Sequence, residues 1–247
     1  MATKLAYADN PYAQPAIEAS VEDRVLFLRK VAGLTFVGLC ISGASSLVTA
    51  GLIAVLQSIM LNQAVSLILM LGSLFLARML GGTMVRSETP SVQYGGFAIG
   101  TALQGVAMGY LILSALLLSV AQFGNPLVLL VEAMALVALT MFGMVIYLLT
   151  GPKNLSMVGG FLSAVSLPMM LLMVVSFVFP TLFGGVFGLV INMVFVGISA
   201  AGLLYSLNSV MHKMSTDMVV PAAYYVTMGI LTLFWNILTL LMRLQRR

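Results

Sequence analysis

Seven long apolar runs, separated by short polar stretches, set the pattern of this chain. They cover about 31–56, 62–80, 95–120, 126–150, 155–178, 181–207 and 220–242. A helix that crosses the hydrocarbon core needs roughly 20 mostly apolar residues, so each run predicts one spanning helix. The second run is the shortest and carries Arg78. The connections are short, which makes neighbouring helices antiparallel. Ser20 followed by Asp23 and preceded by polar sequence resembles a capping box, with Glu22 also in the first turn. The first helix is therefore expected to begin near Ser20, with Arg29 and Lys30 at the headgroups. Residues 1–24 read as a polar N-terminal tail, extended by Pro11 and Pro15, ahead of a membrane domain at 25–247. The apolar run after the tail is too long for a signal-peptide core.

Small residues recur at spacing four inside the runs. The first offers Gly38, Ser42, Ser46, Ala50 and Ala54; the third offers Gly96, Gly100, Thr101, Gly105 and Gly109; the sixth offers Gly184, Gly188, Gly197 and Ala201. Lipid gives helices no hydrophobic reason to associate, so such stripes mark where backbones approach closely. They predict a compact all-α bundle rather than a wide aqueous pore.

Composition agrees with the pattern. The chain is 61% hydrophobic and 7% charged, where soluble proteins carry about 25% charged residues. Such a chain cannot present a soluble surface, and the lipid bilayer is its first expected partner. Charge placement then sets the orientation. Lys4, Arg24, Arg29 and Lys30 precede the first run, Arg78 and Arg86 flank the second connection, Lys153 lies in the fourth and Lys213 in the sixth. The first, third and fifth connections carry no charge. All eight basic residues thus fall on one side, which the positive-inside rule makes cytoplasmic, together with the N-terminus. Tyr94, Tyr147, Tyr205, Tyr224 and Tyr225 fall at the same face, as an aromatic belt would. Seven spans leave Arg243, Arg246 and Arg247 outside; the other arrangement is a late segment that dips in and returns. The net charge of +4 is no sign of nucleic acid, because the basic residues sit at membrane edges.

Candidate chemistry is sparse. The single cysteine, Cys40, lies in an apolar run and forbids an intrachain disulfide. Nineteen methionines, including Met134, Met141 and Met144 on one helix face, read as flexible apolar filler. Met211, His212 and Met214 come nearest to a soft-metal group but have no second cluster. The residues assemble no catalytic triad, zincin helix or phosphate-cradling loop. No enzyme activity, cofactor or metal site is therefore expected. Only one acid, Glu132, lies deep in a run, and an intramembrane carboxylate is a functional candidate by default. At 1.5 Å per residue it sits about 9 Å below the outer face, at the depth expected of Asn236. Glu132 and Asn236 form the candidate intramembrane polar site, with Tyr110, Ser114 and Thr239 as lesser neighbours. The stretch "YSLNSVMHKMSTD" (205–217) reads as a cytoplasmic connection, with His212 and Asp217 in water.

The last third, "GLLYSLNSVMHKMSTDMVVPAAYYVTMGILTLFWNILTLLMRL", resembles the C-terminal signature of the Bax inhibitor family of seven-helix membrane proteins. Tyr205, His212, Thr216, Asp217, Asn236 and Arg243 fall in matching places. "FLRKVAGLTFVGL" resembles the family's first helix, and "LVEAMALVALTMFGMVIYLLTGPKNLS" its fourth, with Glu132 matching an acid there. The resemblance runs from about residue 27 to the end. It implies a bundle in which helix seven is central, enclosed by the other six. Some members are described as calcium leaks gated by two aspartates sharing a proton between helices six and seven. Others are described as regulators of cell death or partners of membrane proteases. This chain departs at the sensor positions, which hold Ser206 and Leu233. A hydroxyl opposite a leucine neither titrates near neutrality nor supplies the several oxygen ligands that calcium requires. The expected function is thus a non-enzymatic regulatory or interaction subunit in a bacterial inner membrane, with another membrane protein complex or a membrane protease as its candidate partner. The alternative is a pH-independent cation leak through Glu132 and Asn236.

Overall fold

The computed structural model describes residues 15–56, 62–149, 155–178 and 185–245. Residues 1–14, Lys153, Gly184, Arg246 and Arg247, on which parts of the sequence reading rest, lie outside the described residues. The described residues form helices and no strand. After a single 3-10 turn, Ala16–Glu18, come α1 (Val21–Val55) and α2 (Gln63–Leu76). A π-helical turn, Ala77–Gly81, and a short α-turn, Gly82–Met84, extend α2. Then follow α3 (Pro90–Phe123), α4 (Val128–Leu149), α5 (Ser156–Val178), α6 (Gly185–Lys213) and α7 (Val219–Gln245). By length and composition, six of these are able to cross a membrane: α1, α2 with its extension, α3, α4, α6 and α7. The helix α5 is 23 residues long and carries Pro168 in its interior. The chain divides into two compact units, one of Met1–Leu113 with Ser209–Leu231 and one of Ser114–Asn208 with Thr232–Arg247.

The start of α1 is where the sequence places it. Ser20 is the N-cap, and its Oγ accepts a hydrogen bond from the Asp23 N–H at 3.1 Å. That satisfies one of the first-turn donors that a helix leaves open. Along α1 the covered face carries Thr35, Gly38, Ser42, Ser46 and Thr49, whereas Phe36, Val37, Leu47, Val48 and Leu52 are exposed. A soluble helix shows the reverse arrangement. In lipid the large apolar side chains meet the acyl chains, and the small ones let a neighbour approach.

That neighbour is α3. A Cβ added at Gly109 would lie 2.6 Å from the Thr49 Cβ, and one at Gly105 would strike the Ser45 hydroxyl and the Ser42 carbonyl. The Ser45 Oγ uses this approach to donate to the Ala102 carbonyl of α3 at 2.9 Å. The stripes on the first and third helices therefore meet where Gly105 and Gly109 face residues 42–49, whereas Gly96 meets Met84, Gly100 meets Tyr224 and Gly81, and Ala54 is exposed. On α6 the expected stripe is interrupted: Gly188 is buried, but Gly197 is exposed with open space where a side chain would go.

Interior hydroxyls rarely interrupt these helices, because most turn back onto their own backbone. Thr101 donates to the Phe97 carbonyl at 2.8 Å, Thr227 to Ala223 at 2.7 Å and Thr239 to Trp235 at 2.8 Å. Such bonds one turn back keep a hydroxyl satisfied in hydrocarbon without a partner helix.

Two expectations are corrected here. The stretch 205–217 is not mainly a connection. Helix α6 continues through Lys213, so His212 lies half-buried in its last turn and only 214–218 form the connection, with Asp217 exposed. A helix C-terminus favours the positive charge of Lys213. Tyr224 does not present its ring outward as a belt residue would: it is 3% exposed and belongs to the core.

Candidate functional site

The sequence-predicted site residues have distinct surroundings. Glu132 lies one turn into α4 and is exposed, beside Leu136 and Val131, which are exposed as well. Asn236 is half-buried on α7. No hydrogen bond joins the two among the described residues. Past the first turn of any long helix, Glu132 is the only acid among the described residues. No group of three or more His, Cys, Asp or Glu side chains that could hold a metal stands together there.

At the sensor positions the structure gives definite environments. Ser206 is half-buried, and its Oγ donates to the Gly202 carbonyl one turn earlier at 2.9 Å. Leu233 has no exposed surface at all. The hydroxyl is therefore engaged with its own helix, and the leucine is packing. Next to Ser206, the Tyr205 ring lies over Gly159 of α5, where a Cβ would be 2.6 Å from the ring Cζ. Only a glycine admits the phenol at that distance.

A second polar constellation, which the sequence reading missed, joins α2, α3 and α7. The Tyr224 hydroxyl donates to the Ala77 carbonyl at 2.5 Å, at the first residue of the π-helical turn. A π-turn shifts the backbone pairing by one residue, and the phenol takes up a carbonyl there. Gly100 makes room for the ring: a Cβ there would be 2.7 Å from Tyr224 Cε2. Phe97 stands edge-on to the same ring, with centroids 6.4 Å apart. Tyr225, the next residue, meets Tyr224 edge-on at 6.2 Å. The Arg86 guanidinium lies over the Tyr225 ring, 5.5 Å from its centroid, and donates to the Tyr225 hydroxyl. The cluster holds two phenols, the exposed Arg86 and a π-turn that carries the exposed Arg78, with no acid or nucleophile among those contacts. It can lock the ends of three helices together; it offers nothing to activate a substrate. The only sequence signals for it are the glycines at 81 and 100 and the tyrosine pair itself.

Comparison with known proteins adds one finding. The family model described as Inhibitor of apoptosis-promoting Bax1 matches residues 24–247, nearly the whole chain. No curated protein and no solved structure matches it.

Proposed function

The chain belongs to the Bax inhibitor family, and from that premise we propose that it is a non-enzymatic regulatory or interaction subunit of a bacterial inner membrane. In this reading it keeps the family scaffold of seven spans with a cytoplasmic N-terminus and has lost the proton-gated calcium leak. One observation carries it. At the two positions where relatives are described as holding paired aspartates, the Ser206 hydroxyl is bound to Gly202 and Leu233 is wholly enclosed. Two nearby carboxylates sense pH because they cannot both ionise freely; a serine tied to its own backbone and a leucine cannot. The inward-turned hydroxyls elsewhere support the same reading, since a carbonyl-bound hydroxyl is poorly placed to strip water from an ion.

The expectation of a central helix seven finds support in how far α7 is covered. The rest of the chain buries 44% of its most apolar stretch, against 22–33% for the other five span-length helices. The basic residues at the helix ends support the orientation.

The second reading, a leak through Glu132 and Asn236, keeps one favourable fact: Glu132 is a carboxylate in an apolar helix. Its exposure weighs against a conduit enclosed by this chain alone. The two readings separate in one preparation. Extraction in a mild detergent should bring a second membrane protein through two purification steps in stoichiometric amount, and Glu132→Gln should leave reconstituted vesicles as tight as the wild type. A chain that purifies alone and passes calcium in a Glu132-dependent way supports the leak instead.

A further inference from the structure

The polar turn ahead of α1 is fastened to the far end of the sequence. The Ala16 N–H donates to the Met214 carbonyl at 2.7 Å, a backbone bond between residues almost 200 positions apart. Ala16 itself has no exposed surface. The neighbouring backbone is held in turn: Glu18 N–H bonds to the Pro15 carbonyl at 2.9 Å, and the Arg24 guanidinium reaches the Ile17 carbonyl at 3.5 Å. Ser20 then caps α1.

Met214 is the residue directly after α6. The last carbonyls of an α-helix have no partner within the helix and must find one elsewhere. Many helices close this end with a glycine in the left-handed conformation. Here the residues after Lys213 are Met214, Ser215 and Thr216, none of them glycine, and among the described residues no non-glycine residue has a positive φ. The donor at the end of α6 comes instead from the N-terminal segment.

We propose that residues 15–19 form a detachable strap that caps α6 and pins the α6–α7 connection, so that the state of the N-terminal segment controls the end of helix six. The strap is small: one backbone bond, one enclosed methyl group and the half-buried Ile17. A grip of that size can be opened without unfolding the helices on either side. A protease that removes the segment, or a partner that seizes it, releases the α6 terminus and the connection 214–218 together. The occupant of this contact is the chain's own segment, and the inference holds whether or not the protein conducts ions.

The test breaks the contact at its donor, since proline removes the N–H and sets a ring carbon against the Met214 carbonyl. Pro15 has φ −56° and ψ 147°, the extended conformation that a residue before proline favours, so Ala16→Pro deletes the N–H with no demand on the preceding residue. Amide exchange by mass spectrometry on the full chain in lipid nanodiscs reads the effect. The net worth of one hydrogen bond corresponds to about fivefold faster exchange across 211–219 in Ala16→Pro. Trypsin should also cut sooner after the exposed Lys213. Ser20→Ala, which weakens the α1 cap and leaves the Ala16 donor in place, should not change exchange across 211–219. Protection across the α1–α3 contact should stay at the wild-type level in both variants, which shows that the fold is intact. Unchanged exchange and cleavage at 211–219 in Ala16→Pro, with the fold intact, would overturn the strap. Equal loosening in Ser20→Ala would overturn it too, since the effect would then belong to α1.

Discussion

Tyr224 is the side chain whose loss should be felt most specifically. Its hydroxyl is the partner of a carbonyl in the π-turn, within a core that excludes water. Tyr224→Phe keeps the ring edge-on to Phe97 and leaves the Ala77 carbonyl without that donor. The expected cost is about 1–3 kcal/mol, read as a lower thermal midpoint in detergent; an unchanged midpoint would show that the bond does not contribute. Glycine contacts give a contrasting pair. Gly105→Leu drives a side chain into the Ser42 carbonyl and should cost about 1–3 kcal/mol or more, by forcing α1 and α3 apart. Gly43, with nothing within 4 Å, should accept alanine at neutral or slightly higher stability, because alanine favours the helix by about 1 kcal/mol. At this scale the sequence showed which glycines were spaced for packing. It did not show which ones met a neighbour. Gly105 and Gly197 sit in similar stripes, yet one touches a serine and the other faces open space. The difference is decided by the facing helix, which no local spacing encodes.

Among the elements, α6 is the most informative. Its polar stretch reads from the sequence as a connection, and the helix instead continues through Lys213. The reason is local. Serine and asparagine end a helix in water by competing for the backbone, but a serine that bonds one turn back, as Ser206 does to Gly202, leaves the helix intact. The start of α1 was legible because a cap is a local chemical event, with Ser20 and Asp23 three residues apart. The strap on α6 was not, because its donor lies almost the whole chain away. If Ser206 is only satisfying its own helix, Ser206→Ala should change stability within about 0.5 kcal/mol. Leu233→Ala, which empties a fully enclosed site, should cost about 2–5 kcal/mol. Thermal or denaturant unfolding of the two variants side by side checks both; a Ser206→Ala loss as large as that of Leu233→Ala would point to a role for the hydroxyl beyond its own helix.

For the molecule as a whole, the apolar runs and the family resemblance carried most of what could be known. Membrane-length helices follow from length and hydropathy, and the family from the order of weak motifs along the chain. Depth and enclosure did not follow. Glu132 was placed inside the bundle because a carboxylate in lipid is costly, and its side chain is exposed. Sequence gives the position along a helix, not the side of the helix that the rest of the chain covers. Orientation is open to a direct check. In a Cys40→Ala background, Thr216→Cys in the α6–α7 connection should react with a membrane-impermeant maleimide only from the cytoplasmic side. A reporter fused after the last residue should respond only outside. Labelling of position 216 from outside would reverse the topology. In the proposed function this scaffold has lost its proton-gated leak. Calcium efflux from proteoliposomes, compared at an acidic and an alkaline pH on either side of the range where a carboxylate pair titrates, tests it most directly. Efflux equal to that of empty vesicles is expected at both; efflux above them that changes with pH would contradict the loss of the leak.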